Sequence, residues 1–98
     1  MCEICLSALA ERDLIDIWRY TFDRWGPAQA DRYLEELDQG IARLSADARI
    51  GADRQGVRDR YRVLFVERHA VYYKFSEREV QVVRVLHGQM DPEVHLPK

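Results

Sequence analysis

Ninety-eight residues make one domain with a single core and leave no room for a second. Of these residues 47% are apolar and 33% charged, a balance that excludes a disordered chain. No apolar run nears the roughly 20 residues that span a bilayer, and the opening MCEICLSALAERDL lacks the basic start and long apolar stretch of a secretory leader. The expected address is therefore the cytoplasm. The net charge of −2 conceals an uneven distribution: residues 1–48 hold five Lys/Arg and ten Asp/Glu, residues 49–87 nine and five. A basic second half suits an acidic partner or nucleic acid, and equally suits two solvated faces.

Glu3–Leu6 is a candidate first strand. Cys2 and Cys5 form a C-x-x-C there, but a closed zinc site needs four ligands and no second C-x-x-C or H-x-x-x-H accompanies them. A redox pair would sit between a strand and a helix. The two cysteines read as ordinary residues of that strand in a reducing compartment, and no metal is expected.

Residues 8–25 predict an amphipathic helix. At 100° per residue Ala10, Leu14, Ile15, Ile17, Trp18, Phe22 and Trp25 share a face, opposite Arg12, Asp16, Arg19 and Asp23. Ser7 is placed to cap it, with Glu11 in the first turn. Gly26-Pro27 ends this helix and starts a second over 27–46, with a stripe of Ala30, Tyr33, Leu34, Leu37, Ile41 and Leu44. So short a connector makes the pair an antiparallel hairpin. Gly40 at the stripe's edge admits another backbone closely. Trp18, Phe22, Trp25 and Tyr33 are expected in the core.

Residues 47–58 carry Gly51 and Gly56 without a stripe and predict a loop. Three strand-like runs follow, Tyr61–Val66, Ala70–Phe75 and Val80–Leu86, joined by short turns and therefore antiparallel. The last run is apolar enough for a central strand, with Glu3–Leu6 able to pair beside it. The expected fold is α+β, in the order β-α-α-β-β-β: a helical hairpin packed on an antiparallel sheet of three to four strands. Tyr72 and Tyr73 must point to opposite faces, so one leaves the helix-covered side, where it could join a partner surface.

Arg84 interrupts the valine-rich run and His87 closes it. A guanidinium in a central strand needs a carboxylate or carbonyl partner, from the helical hairpin or from Asp91 in the tail; alternatively it faces a groove and grips a partner. His87 either bonds a backbone carbonyl or takes part in chemistry. Arg58, Arg60 and Arg62 fall on one side of a strand at alternate positions, as an exposed edge kept soluble by charge or as a surface for an acidic partner.

The order of these parts, together with Leu6-Ser7, Asp13-Leu14, Ile17-Trp18, Trp25-Gly26, Tyr72-Tyr73 and the closing Arg84-Val85-Leu86-His87 with Met90-Asp91, resembles the ParE toxins of the RelE/ParE superfamily, the toxin half of type II toxin–antitoxin pairs. The resemblance covers almost the whole chain. It differs in residues 47–51, where family members usually have a proline before the glycine and this chain reads Asp47-Ala48-Arg49-Ile50-Gly51. The resemblance implies a poison of DNA gyrase that blocks replication without catalysis, cofactor or metal, and without sequence-specific binding of nucleic acid. It also implies neutralisation by a ParD-like antitoxin, in heterotetramers or larger assemblies. Arg58, Arg60, Arg62, Tyr72 and Arg84 are the expected antitoxin contacts, and His87, Met90, Asp91 and His95 the expected target contacts. The alternative within the superfamily is a RelE-like mRNA endonuclease, with Arg84 on the phosphate and His87 as acid or base. No tyrosine follows Tyr73, and Asp91 would repel phosphate, so that set is incomplete.

Overall fold

The computed structural model describes residues 2–53 and 61–96. In chain order it comprises β1 (Glu3–Leu6), α1 (Ala8–Trp25), α2 (Pro27–Ala46), β2 (Ala52–Asp53), β3 (Arg62–Val66), β4 (His69–Phe75), β5 (Glu79–His87) and α3 (Pro92–His95). Both helices fall where the apolar periodicity puts them. Ser7 separates β1 from α1 by serving both. Its Oγ accepts the Ala10 N–H at 2.9 Å, capping the helix, and donates to the Val83 carbonyl at 2.6 Å, tying the cap to the sheet. Between the helices Gly26 takes φ +88°, where a side chain would be strained, and its N–H closes on the Phe22 carbonyl.

The sheet order is β1-β5-β4-β3-β2. β3, β4 and β5 form the expected antiparallel meander. β1 lies beside β5, as anticipated, but runs parallel to it, with Glu3 opposite Glu79, so the sheet is mixed. No hairpin links these two strands, so no tight turn imposes the antiparallel direction. The two-residue β2 adds a far edge that its loop composition did not suggest.

One irregularity decides where the functional side chains point. The β4–β5 register steps from Tyr73 opposite Val82 to Tyr72 opposite Arg84, leaving Val83 as an extra residue. Such a bulge switches the faces of every residue beyond it. Val80 and Val82 enter the helix-covered core, and after the bulge so does Val85, while Leu86 joins the opposite face. Without it, strict alternation would carry Arg84 into the apolar core and Val85 out of it.

The helix-covered core gathers Leu37, Ile41 and Leu44 against Val71, Tyr73, Val80 and Val82. Gly40 packs against β3 there; a Cβ at this position would lie 2.5 Å from Val66 Cγ2, so the close neighbour is a side chain rather than backbone. The reverse face buries Tyr61, Val63, Ala70, Tyr72 and Leu86 beneath Leu96, which follows α3. Loop 47–51 is pinned by Tyr73. The phenol donates to the Ala48 carbonyl at 2.6 Å and accepts the Gly51 N–H at 3.1 Å, and Arg62 Nη2 donates to the Gly51 carbonyl at 3.0 Å. At Gly51 an added Cβ would lie 2.8 Å from the Val63 carbonyl, so the backbones meet too closely for any side chain.

The expected burial of α1's aromatics does not hold. Phe22 is 41% and Trp25 60% exposed, and Trp18 is only half-buried. The apolar stripe is too wide for one contact. Ala10, Leu14, Ile17 and Thr21 meet the sheet, while Ile15, Trp18 and Phe22 lie roughly 100° round the helix. Trp18 and Phe22 stack on each other, and Trp18 Nε1 donates to Asp31 of α2. Among the described residues no helix is long and apolar enough to cross a membrane.

Candidate functional site

A groove of about 910 Å³ opens between the helical hairpin and the end of the sheet where β3 turns into β4 and β5 exits. Its helical wall carries Asp13, Asp16, Tyr20, Trp25, Arg32, Tyr33 and Glu36, and its sheet side Glu67, Arg68, His69, Arg84, Val85 and His87, with Met90 at the rim. Tyr20 and Trp25 meet edge to face, and the Arg24 guanidinium lies over both rings. Aromatic surface this exposed, flanked by both signs of charge, is suited to recognising a protein segment.

At one end of the groove Asp13 and Arg84 form a bidentate pair. Arg84 Nε and Nη2 donate to the two carboxylate oxygens at 2.8 Å each. Asp13 also accepts the Val85 N–H at 2.9 Å. The sequence produces this locally: β1 stops at Leu6, so beyond Val82 the β5 edge loses its strand partner, and the Asp13 carboxylate takes the place of a ladder carbonyl. The remaining Arg84 nitrogen, Nη1, donates to the His95 carbonyl at 3.0 Å. Bonding to Asp13 raises the Arg84 pKa further, against the opposing effect of burial. The guanidinium is thus engaged on both sides and spans α1, β5 and α3.

His69 and His87 face each other across β4 and β5 on the groove floor, ring centres 5.5 Å apart. Tyr33 Oη lies 2.6 Å from His69 Nδ1 and accepts the Arg68 N–H at 3.2 Å. Burial, and next the neighbouring His87, push the His69 pKa down to about 4, with Asp13 pulling the other way. Burial raises that of Tyr33. At neutral pH the His69 imidazole is uncharged. His87 is exposed, and its Nδ1 accepts the Gln89 N–H at 3.2 Å. Among the described residues no three His, Cys, Asp or Glu side chains cluster as a metal site, and Cys2 and Cys5 are free thiols.

A sequence model of the ParE toxin of the type II toxin–antitoxin system, parDE, matches residues 4–92. The chain belongs to the ParE toxin family. Toxin ParE1 of Mycobacterium tuberculosis is 42% identical over 92 residues, covering 93% of this chain and 94% of the relative. Toxin ParE1 of Caulobacter vibrioides is 37% identical, with coverage of 93% and 94%. Toxin ParE of Escherichia coli is 40% identical, with coverage of 93% and 89%. In three dimensions a chain from the chromosomal ParDE TA system of P. aeruginosa superposes with a TM-score of 0.79, covering 89% of this chain and 96% of that one, at 21% identity. The protein is a toxin of the ParDE type.

The toxin's fold distributes the residues expected from sequence quite differently. Arg84, His87 and Met90 meet at the groove. Arg84 takes its acid from the helical hairpin, and that acid is Asp13 rather than Asp91. His95 contributes its backbone carbonyl, and Asp91 is exposed between Met90 and α3. Tyr72 does leave the helix-covered face, but it is 4% exposed beneath the C-terminal segment instead of open to a partner. Arg62 points back onto the 49–51 loop and over the Phe75 ring, 5.8 Å from its centre. Arg58 and Arg60 lie outside the described residues. Sequence reasoning missed Asp13, Tyr20, Tyr33 and His69 as groove residues. Asp13 carried a signal, being an acid directly beside the stripe of Ala10, Leu14 and Ile17 that meets the sheet. His69 carried none, because its neighbours are set by strand register.

Proposed function

We propose that the toxin acts by binding, not by catalysis: it poisons DNA gyrase in the cytoplasm, blocks replication, and is neutralised by a ParD-like antitoxin that occupies the groove. The observation that carries the non-catalytic reading is the state of Arg84. Its three nitrogens are held by the Asp13 carboxylate and the His95 carbonyl, so the cation best placed for a phosphate is already satisfied. His69, in the same groove, is neutral and bonded to Tyr33, and no tyrosine follows Tyr73 to complete a nuclease set. Family membership supports a toxin whose partner is an antitoxin, and the solved relative of the same fold comes from a ParDE pair.

In this reading Tyr20 and Trp25 receive the antitoxin's apolar side chains, and Arg32 and Arg68 at the groove meet its acids. Arg84 shapes the wall by holding Asp13. Arg58 and Arg60 are further basic candidates for that contact, Arg62 and Tyr72 being engaged within the toxin itself, while His87, Met90, Asp91 and His95 mark the end offered to gyrase. Purified gyrase with relaxed plasmid and ATP tests the reading. Loss of supercoiling with accumulated cleaved plasmid, reversed by antitoxin, is the expected result. Unimpaired supercoiling at a large molar excess of toxin removes gyrase as the target.

A further inference from the structure

We propose that His69 and His87 form a two-histidine zinc site on the groove floor, with its remaining coordination positions open to the groove. The pair is built by the sheet. The Gly88 N–H donates to the Arg68 carbonyl at 2.9 Å, so positions 68 and 88 are hydrogen-bonded partners, and 69 and 87 form the adjacent non-bonded pair. In such a pair the backbones approach most closely and both side chains share one face.

The spacing suits one ion. Zinc holds an imidazole nitrogen at about 2.0–2.1 Å, which places each ring centre about 3.2 Å from the metal and two tetrahedrally disposed rings about 5.2 Å apart. The observed separation is 5.5 Å. Tyr33 Oη occupies His69 Nδ1, so Nε2 is the nitrogen offered to a ligand, and a hydrogen-bond partner on the other ring nitrogen is the usual device for fixing a metal-binding histidine. His87 is exposed, and its Nδ1 lies 3.2 Å from the Gln89 N–H, so Nε2 is the nitrogen it offers.

Asp16, Glu36 and Glu67 outnumber Arg32 and Arg68 along the same groove, while Asp13 and Arg84 pair with each other. No third protein ligand joins the pair among the described residues. Water or a side chain of whatever fills the groove would complete the tetrahedron. The site stands apart from the gyrase and antitoxin reading, since it needs neither.

Calorimetric titration of the toxin alone with Zn2+, at pH 7, decides it. One ion per chain is expected, with at least tenfold weaker binding in His87→Ala and in His69→Ala, and no change in His95→Ala, whose side chain lies outside the pair. Circular dichroism checks each variant. His87 is exposed, so its replacement keeps the fold even if His69→Ala does not. Cobalt substitution, read by the visible bands of a tetrahedral ion, should disappear with His87→Ala. No binding by the parent chain, undiminished binding in His87→Ala, or loss in His95→Ala overturns the proposal.

Discussion

Tyr72 and Tyr73 are neighbours on β4, both buried, and kept so by different means. Tyr73 lies under the two-helix layer, with its phenol bonded to the 47–51 loop at both Ala48 and Gly51. Tyr72 lies on the reverse face under Leu96, a segment that is held to the sheet through the Arg84–His95 bond. The front face is a layered core of side chains from two long helices. Among the described residues the back face is covered by Leu96 of the C-terminal segment, which the Arg84 guanidinium holds, and that guanidinium is fixed in turn by Asp13 on the front. Burial alike in extent therefore differs in how much structure must move to undo it.

Truncating each cover separates the two. Leu37→Ala should cost about 3–5 kcal/mol in urea unfolding, because a fully buried side chain leaves a cavity between layers that cannot collapse. Leu96→Ala should cost about 1–2 kcal/mol, since its segment can shift over the sheet. Equal losses would show that the tail is as rigid a layer as the helices.

Asp13→Ala attacks the link between the faces. It strands the Arg84 charge and the Val85 N–H, both part-buried, and should cost about 2–4 kcal/mol. The Asp13→Ala/Arg84→Met double variant should recover part of the loss, which measures how much belonged to the unpaired charge. Tyr73→Phe removes a donor and an acceptor from the loop and should cost about 1–2 kcal/mol, with hydrogen exchange rising at Gly51.

The smallest effect is expected from acid. The folded-state pKa of His69, about 4, lies below the ordinary histidine value of 6.5, so the unfolded chain binds the proton more readily between those values. This contribution is fully present above pH 6.5 and is lost as pH falls toward 4. For a half-buried ring it should amount to about 1–2 kcal/mol after allowing for solvent. The comparison is the urea midpoint at pH 7 and pH 4.5 for the parent chain and His69→Gln. A parent chain that loses no more stability than the variant would refute it.

What was legible in the sequence was local. Helix stripes, the Gly26-Pro27 break, the Ser7 cap and the short turns of the meander are all read within a few residues. The direction of β1 was not, because its pairing with β5 joins Glu3 to Glu79 with no turn between them. Asp13 meets Arg84 across 71 positions. The bulge at Val83 was equally hidden, since an apolar run looks the same whichever face each valine takes, and it alone decides that Arg84 leaves the core and His87 enters the groove. The width of the α1 stripe misled for the opposite reason. Periodicity shows that residues share a side of the helix, not how much of that side a neighbour can cover. Asp91-Pro92 did carry the start signal of α3, an N-cap type residue before a first-turn proline.

The parallel pairing of the first strand with the last has a consequence for biosynthesis. β1 has a single neighbour in the sheet, and that neighbour is completed only when residue 87 has left the ribosomal exit tunnel. Until then a nascent chain holds its helical hairpin without the surface it packs on, and neither Arg84 nor the groove floor exists. Every interrupted round of translation up to that point yields a fragment without the assembled groove.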